Sequence, residues 1–430
     1  VARKRVFVDL NPLLRFPQFR LLWSGLLIRM IGNQLTVVAV PYQIYRITHS
    51  SLDVGLASFA QLGPLLIGSL IGGNLADSFD KRRLLIATQI LLASTSIGLA
   101  LNSQSHAMIW PLFVCSACQA GFSGIDSPTT TSLSVRLIDR DTLVSANALW
   151  QILFNIGQVV GPSVAGLLLV KFSISVVYWI DVSTFGVSLI AVLAMRVERE
   201  TSTGRKQALN LTEMFGGLRY LKGNHPLQGI FLADMDAMVL GFPRALFPAM
   251  GIVQFHGGAG AVGLLYAAPG AGALAGAMLT GWVSRVRHAG RAVLLAVGGF
   301  GIAMTLFGLT RSLVLALLLL AIAGAFDMFS AVFRGAILQL KTPREILGRM
   351  QGVQIAVVTG GPRLGDLEHG AVASLVGTPI AAFSGGLGCI FGVLTLARLL
   401  PGFTNLHLDH GREDLASMEI APEITGTSTS

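Results

Sequence analysis

Arg29, Asp126, Asp234, Asp236, Arg244, Asp327, Arg334, Arg363, Asp366 and Glu368 all interrupt long stretches of otherwise apolar sequence. If those stretches cross a membrane, each charge costs about 2.5–3.5 kcal/mol at the bilayer centre, so each needs a partner or a task. Six acids stand against four arginines in this set. The surplus leaves about two carboxyls without a full partner, and burial drives such a group towards its protonated form. That is the chemistry of a proton carrier, with Asp126, Asp234 or Asp236 as the first candidates and Asp327, Asp366 and Glu368 behind them. Arg29, Arg244, Arg334 and Arg363, with Asn33, Gln119 and Ser123, are the groups available to an anionic or polar part of a small substrate.

Spacing restricts which of these share a face. Gln119, Ser123, Asp126 and Thr130 follow at i, i+4, i+7 and i+11 and form one narrow helical stripe. Asp327 and Arg334 are seven apart, on one face and two turns apart along the axis. Asp234 and Asp236 point in nearly opposite directions, so only one of them faces a common cavity. Arg363 and Asp366 can pair along their own helix, while Glu368 points elsewhere. His369 beside Glu368 belongs to no visible set of metal ligands and reads as a polar helix contact. Cys115 and Cys118 have C-x-x-C spacing inside an apolar run with no second pair, which favours small buried side chains over redox chemistry. No nucleophile constellation, cofactor motif or phosphate-cradling loop stands out, which argues against an enzyme and against an ATP-driven pump.

The elements that position these residues follow from hydropathy. The 430 residues are 53% hydrophobic and 12% charged. Their mean hydropathy is +0.68. A soluble domain carries roughly a quarter charged residues. Twelve apolar runs are long enough to cross about 30 Å of hydrocarbon. They fall at about 20–45, 52–76, 84–103, 108–132, 144–170, 174–195, 227–250, 260–284, 291–310, 312–339, 351–376 and 379–400. With the N-terminus inside, 24 of the 31 Lys and Arg residues lie on the cytoplasmic side and three (Arg46, Lys171, Arg311) outside. The same clustering explains the net charge of +9 without a nucleic-acid partner. The basic N-terminus leads into a span too long for a cleavable signal, and is expected to remain.

The chain also repeats itself. Leu143–Gly166 aligns with Leu347–Gly370 at an offset of 204, with Gly157/Gly361, Gly161/Gly365 and Gly166/Gly370 identical. Gly68 and Gly73 correspond to Gly276 and Gly281 at an offset of 208. The organisation expected is an all-α membrane protein of two pseudo-symmetric six-helix halves, residues 1–195 and 227–400. They are joined by a linker, 196–226, in which Leu211, Met214, Phe215 and Leu218 mark an amphipathic helix on the inner surface. Residues 401–430 form a hydrophilic cytoplasmic tail, expected to be disordered.

The segment Gly73-Asn-Leu-Ala-Asp77-Ser-Phe-Asp80-Lys81-Arg82-Arg83 resembles the loop signature of the major facilitator superfamily. Gly73 would let two helices approach, and Asp77 would accept from a neighbouring helix N-terminus or from Arg82 or Arg83. The resemblance implies a cytoplasmic latch that steadies the outward-facing state, weakened where Ser78 and Asp80 replace the usual Arg and Gly. Gly157, Gly161, Pro162 and Gly166 look like the glycine-proline motif of the superfamily's antiporter branch, which implies export. With PYQIYRITHSSLDVGL, LQLKTPREILGRMQG and GGPRLGDLEHGAVA, the chain resembles the enterobactin-exporter-like group of drug:proton antiporters over most of residues 15–400. In that superfamily spans 1, 4, 7 and 10, which hold most of the buried charges here, line the central cavity.

The expectation is a proton-coupled exporter of a small amphipathic molecule, a siderophore or drug, in a bacterial plasma membrane. It would work by alternating access, surrounded by lipid, with both termini cytoplasmic, needing no cofactor or metal and compatible with a monomer. The rivals are an importer or facilitator on the same fold, and a non-transporting membrane sensor or assembly protein.

Overall fold

A computed structural model of the chain describes residues 9–105, 107–196, 220–280, 286–343 and 346–406. The linker helix expected around Leu211–Leu218 lies outside the described residues, as do Gly281 and the tail beyond Leu406. Among the described residues there is no β-strand, and twelve long helical segments alternate in direction. The first six are α1 (Pro17–Thr48), α2 (Ser51–Ser78), α3 (Lys81–Gln104), α4 (Ile109–Arg136), α5 (Leu143–Lys171) and α6 (Ile174–Ala194). The second six are α7 (His225–Val239), α8 (Gly258–Met278), α9 (Ala289–Leu309), α10 (Leu313–Lys341), α11 (Leu347–Val376) and α12 (Thr378–Leu399). Nine of these are long and apolar enough to span a membrane. The other three are α4 and α11, which carry buried polar groups, and the broken α7. The protein is an all-α, multi-pass membrane protein.

Local chemistry fixes the ends. The Ser50 hydroxyl accepts from the Asp53 amide at the start of α2, and the Asp80 carboxylate from the Arg83 amide at the start of α3. Asn224 and Ser312 cap α7 and α10 in the same way. Gly377, at φ 88°, turns the chain from α11 into α12, a conformation that costs other residues more. Within α2 the helix is interrupted at Gln61. Pro64 has no N–H to offer the Ala60 carbonyl, which accounts for the break.

The seventh span departs from the sequence expectation of one run over 227–250. Helix α7 stops at Val239, and the chain passes Gly241 and Pro243 into short turns ending in a π-helical one at Met250–Gln254. Cys118 is exposed on α4 and Cys115 half-buried, rather than both being buried. A thiol is apolar enough to face hydrocarbon.

Packing repeats with a period of six helices. In the first half α1 packs on α5 and α6, α2 on α4, and α3 on α4 and α6. In the second, α7 packs on α11 and α12, α8 on α10, and α9 on α10 and α12. The halves meet through α2 with α11 and α5 with α8. The close glycine approaches across this seam, such as Gly166 to Gly263 and Gly370 to Ser51, lie in the half of the bundle farthest from the N-terminus.

Candidate functional site between the halves

The buried charges gather in three places. In the first half, Arg29 on α1 reaches Asp126 on α4 at 2.7 Å, and the Thr88 hydroxyl on α3 donates to the other carboxylate oxygen at 2.9 Å. The Thr130 hydroxyl adds a longer bond, 3.5 Å, from the turn below. Beside this group Asp181 on α6 is fully buried and accepts from the hydroxyls of Thr36 and Ser96 at 2.7 and 2.8 Å. Asp181 is not among the acids expected from the sequence to be buried, although the run YWIDVSTFG displays it as plainly as the others. Asp181 therefore adds a seventh acid to the six named from the sequence.

In the second half, Arg334 on α10 holds Asp234 on α7 at 2.9 Å and Asp327 on its own helix at 3.7 Å. Arg334 also donates to the Ser330 hydroxyl at 3.0 Å, and the Gln354 amide of α11 donates to Asp234 at 3.3 Å. Asp234 and Arg334 are almost completely buried, whereas the Asp327 side chain is 37% exposed and borders a cavity. Asp236 points the other way, against Gly392 and beside the Cys389 thiol of α12.

The third place is the seam. The Asp366 carboxylate accepts from the Ser58 hydroxyl of α2 at 2.6 Å and from the backbone amide of Ala245, in the break after α7, at 3.0 Å. The expected Arg363–Asp366 pair along α11 does not form. Arg363 donates instead to the Thr359 carbonyl at 2.5 Å, since donors from two distant elements have claimed the carboxylate. Glu368 turns away to the Nδ1 of buried His369 at 2.9 Å, a nitrogen also 2.8 Å from the Gly365 carbonyl.

Two chambers adjoin here. One, of about 190 Å3, sets the polar groups of Ser116, Gln119, Arg244, Arg363 and Asp366 among apolar residues such as Val40 and Ile44, and is called the polar chamber for its charges. The other, of about 310 Å3, is lined by Phe154, Phe242, Phe300 and Met238 together with Gln34, Gln158 and Asp327. Val37, Arg244 and Tyr266 border both. Together they fall within the size range of small-molecule sites, roughly 300–1,000 Å3. Asn33 and Ser123, although half-buried on α1 and α4, line neither chamber, and nor do Arg29 and Arg334.

A family model described as transmembrane secretion effector matches residues 9–423, nearly the whole chain. The chain belongs to this family of the major facilitator superfamily. Membership makes it a membrane transporter rather than an enzyme. It is 28% identical over 396 residues to the enterobactin exporter EntS of Shigella boydii serotype 18, covering 91% of this chain and 94% of that one. The enterobactin exporter of Escherichia coli O1:K1 is 27% identical over the same length, with the same coverage. Among solved structures, a peptide transporter POT superposes with a TM-score of 0.73 at 12% identity, covering 91% of this chain and 96% of that one. A bacterial homologue of the human lysosomal transporter Spinster, inward-facing and unoccupied, gives 0.67 at 16% identity, covering 90% and 96%. At such identities the structures speak for the fold alone.

The superfamily motifs sit as follows in this transporter. On α5 an added Cβ at Gly157 would meet Met30 of α1 at 2.8 Å, and one at Gly161 would collide with Gln34. Their repeats Gly361 and Gly365 meet Met238 and the Met238 carbonyl of α7, so the duplicated glycines make duplicated contacts. Pro162 is accommodated within α5, its carbonyl close to Gly263. The loop signature differs from expectation. Gly73 has open space around it, and Gly72 instead makes the approach to α4, 2.6 Å from the Ile125 Cα for an added Cβ. Asp77 is exposed and bonds no described residue, and Arg83 is exposed. Arg82 donates to the Val192 and Leu193 carbonyls at 3.1 and 2.6 Å, closing the C-terminus of α6.

Proposed function

We propose that this transporter is a proton-coupled exporter of a small amphipathic molecule, a siderophore or a drug of similar character, in a bacterial plasma membrane. The observation that carries this reading is the pair of adjoining chambers between the halves, one polar and one rich in phenylalanine, with Arg244 and Tyr266 on their common border. Such a site accepts a molecule with a polar head and an apolar body. The whole-length similarity to enterobactin exporters supports a siderophore-like cargo and the outward direction.

The glycine contacts of α5 with α8 and α2 with α11 hold the halves together at the end opposite the termini. With the termini in the cytoplasm, as the basic-residue bias favours, these contacts form an outer seal, and alternating access moves the seal to the other side. Proton coupling is assigned to Asp234 and Asp327, two carboxyls around the single guanidinium of Arg334. One cation balances one of them, and the second, bordering the cavity, is placed to exchange a proton. Asp126 is already satisfied by Arg29 and Thr88, and Asp236 faces α12.

The test is substrate-triggered proton movement in proteoliposomes holding a pH gradient, challenged with catecholate siderophores and lipophilic drugs. Collapse of the gradient that is lost when Asp327→Asn is combined with Asp234→Asn is the expected result. Collapse that persists in the double variant removes the assignment of the carrier. Substrate movement with no proton flux in the wild type removes the antiport reading.

A further inference from the structure

The four arginines within the spans are not equivalent. Arg29 and Arg334 are neutralised by Asp126 and Asp234 and line neither chamber. Arg244 and Arg363 both line the polar chamber, and no described carboxylate forms an ion pair with either within 4.0 Å. Each has a buried Nε–H without a hydrogen-bond partner. Their like charges act on one another, and the single carboxylate of Asp366 offsets only part of the two positive charges. Two guanidiniums facing one small space with one carboxylate leave a net positive charge, so the arrangement calls for a further anion between them.

The rest of the wall is mixed, with Val40, Ile44 and Val54 beside further polar groups. The Gln119 side-chain nitrogen and the Ser116 hydroxyl on α4 are buried, the residues 8% and 5% exposed, and neither atom has a partner. Asp366, the acid in this chamber, already accepts from Ser58 and Ala245. Arg244 additionally lies over the Phe242 ring at 5.2 Å, which places its planar face towards the aromatic chamber.

We propose that the polar chamber is an oxyanion subsite, and that the cargo is therefore an amphipathic anion. Arg244 and Arg363 hold a planar oxyanion, a carboxylate or an ionised catechol, through paired N–H donors. Gln119 and Ser116 donate to its remaining lone pairs, and the apolar body lies among Phe154, Phe242 and Phe300. This deepens the exporter reading in that it names the chemical class of the cargo, but it concerns recognition and does not depend on the direction of transport.

The experiment compares two probes of one shape, 4-octyloxybenzoate and its neutral counterpart 4-octyloxybenzamide, binding to the full-length transporter in zwitterionic lipid nanodiscs. The benzoate is expected to bind at least tenfold more tightly than the amide. Arg244→Gln and Arg363→Gln should each remove most of that preference, and Arg363→Lys should keep part of it. Monodisperse elution and a cooperative thermal transition in each variant show that it remains folded. Equal binding of the two probes by the wild type overturns the proposal, and so does a preference that survives both Gln substitutions. Net flux in proteoliposomes is measured separately. Anion preference with inward flux sinks the exporter reading alone, whereas outward flux of amide and benzoate at equal rates sinks the subsite alone.

Discussion

The carboxylate of Asp234 lies 2.9 Å from the guanidinium of Arg334, with the acid on α7 and the base on α10. Arg29 and Asp126 make the same kind of pair at 2.7 Å between α1 and α4, with the charges exchanged. The duplicated scaffold thus joins the corresponding helices of each half by one buried ion pair, whose polarity is reversed between them. A pair of this kind fixes which helices adjoin, whereas its net worth in stability is small beside the cost of breaking it.

Arg334→Gln leaves Asp234 buried without its cation. The expected loss is about 3–5 kcal/mol of stability, the usual cost of breaking a buried pair from one side. The companion Asp234→Asn should recover most of this. A double-mutant cycle on thermal unfolding in detergent, read for a positive coupling energy, checks it.

The seam between α5 and α8 depends on bare backbone. A Cβ on Gly166 would stand 2.9 Å from the Gly263 Cα. Gly166→Leu therefore forces the helices apart at the end opposite the termini, at about 1–3 kcal/mol against the closed arrangement. Spin labels on Lys171 and His256 should report a longer distance, with the open population raised roughly 5–150-fold. An unaltered distance distribution would refute the seam as a packing constraint.

Neighbouring glycines on α2 should behave differently. Gly72→Val meets the Ile125 backbone and should lower the unfolding midpoint, while Gly73→Ala enters open space and should stay within about 0.5 kcal/mol of wild type. Midpoints from a thermal shift series on both variants decide the point.

Asp366→Ala removes the acceptor for the Ser58 hydroxyl and the Ala245 amide at once. Leaving such buried groups unsatisfied costs about 1–3 kcal/mol each. The variant should exchange the Ala245 amide with deuterium faster, and hydrogen-exchange mass spectrometry of the segment 240–250 measures it.

Much of this architecture is legible in the sequence, because the lipid imposes long apolar helices and the basic residues mark their ends. The glycines shared by the two halves are legible too, since the same close helix contacts made within each half, with Gly166 and Gly370 between them, leave a repeat at fixed offset. What escaped has a common cause. Gly241 and Pro243 interrupt α7 inside a run apolar enough to pass for one span. Asp181 rests on Thr36 and Ser96, hydroxyls 145 and 85 residues away, which no local pattern connects to it. Arg363 and Asp366 have the right spacing to pair, yet Ser58 and Ala245 arrive from elsewhere in the chain and satisfy the acid first. Gly72 and Gly73 differ only in which side of α2 they occupy, and packing, not the motif, selects between them.

The paired and unpaired arginines also differ in how the membrane potential reaches them. A guanidinium that moves together with its carboxylate carries no net charge through the field, so rocking the Arg29–Asp126 and Arg334–Asp234 units is insensitive to voltage. Each uncompensated charge moved across the whole field is worth about 2.3 kcal/mol per 100 mV. In the proposed cycle Arg244 and Arg363 thus add to the voltage dependence carried by the proton on the Asp234–Asp327 pair, and their share falls as an anion settles between them.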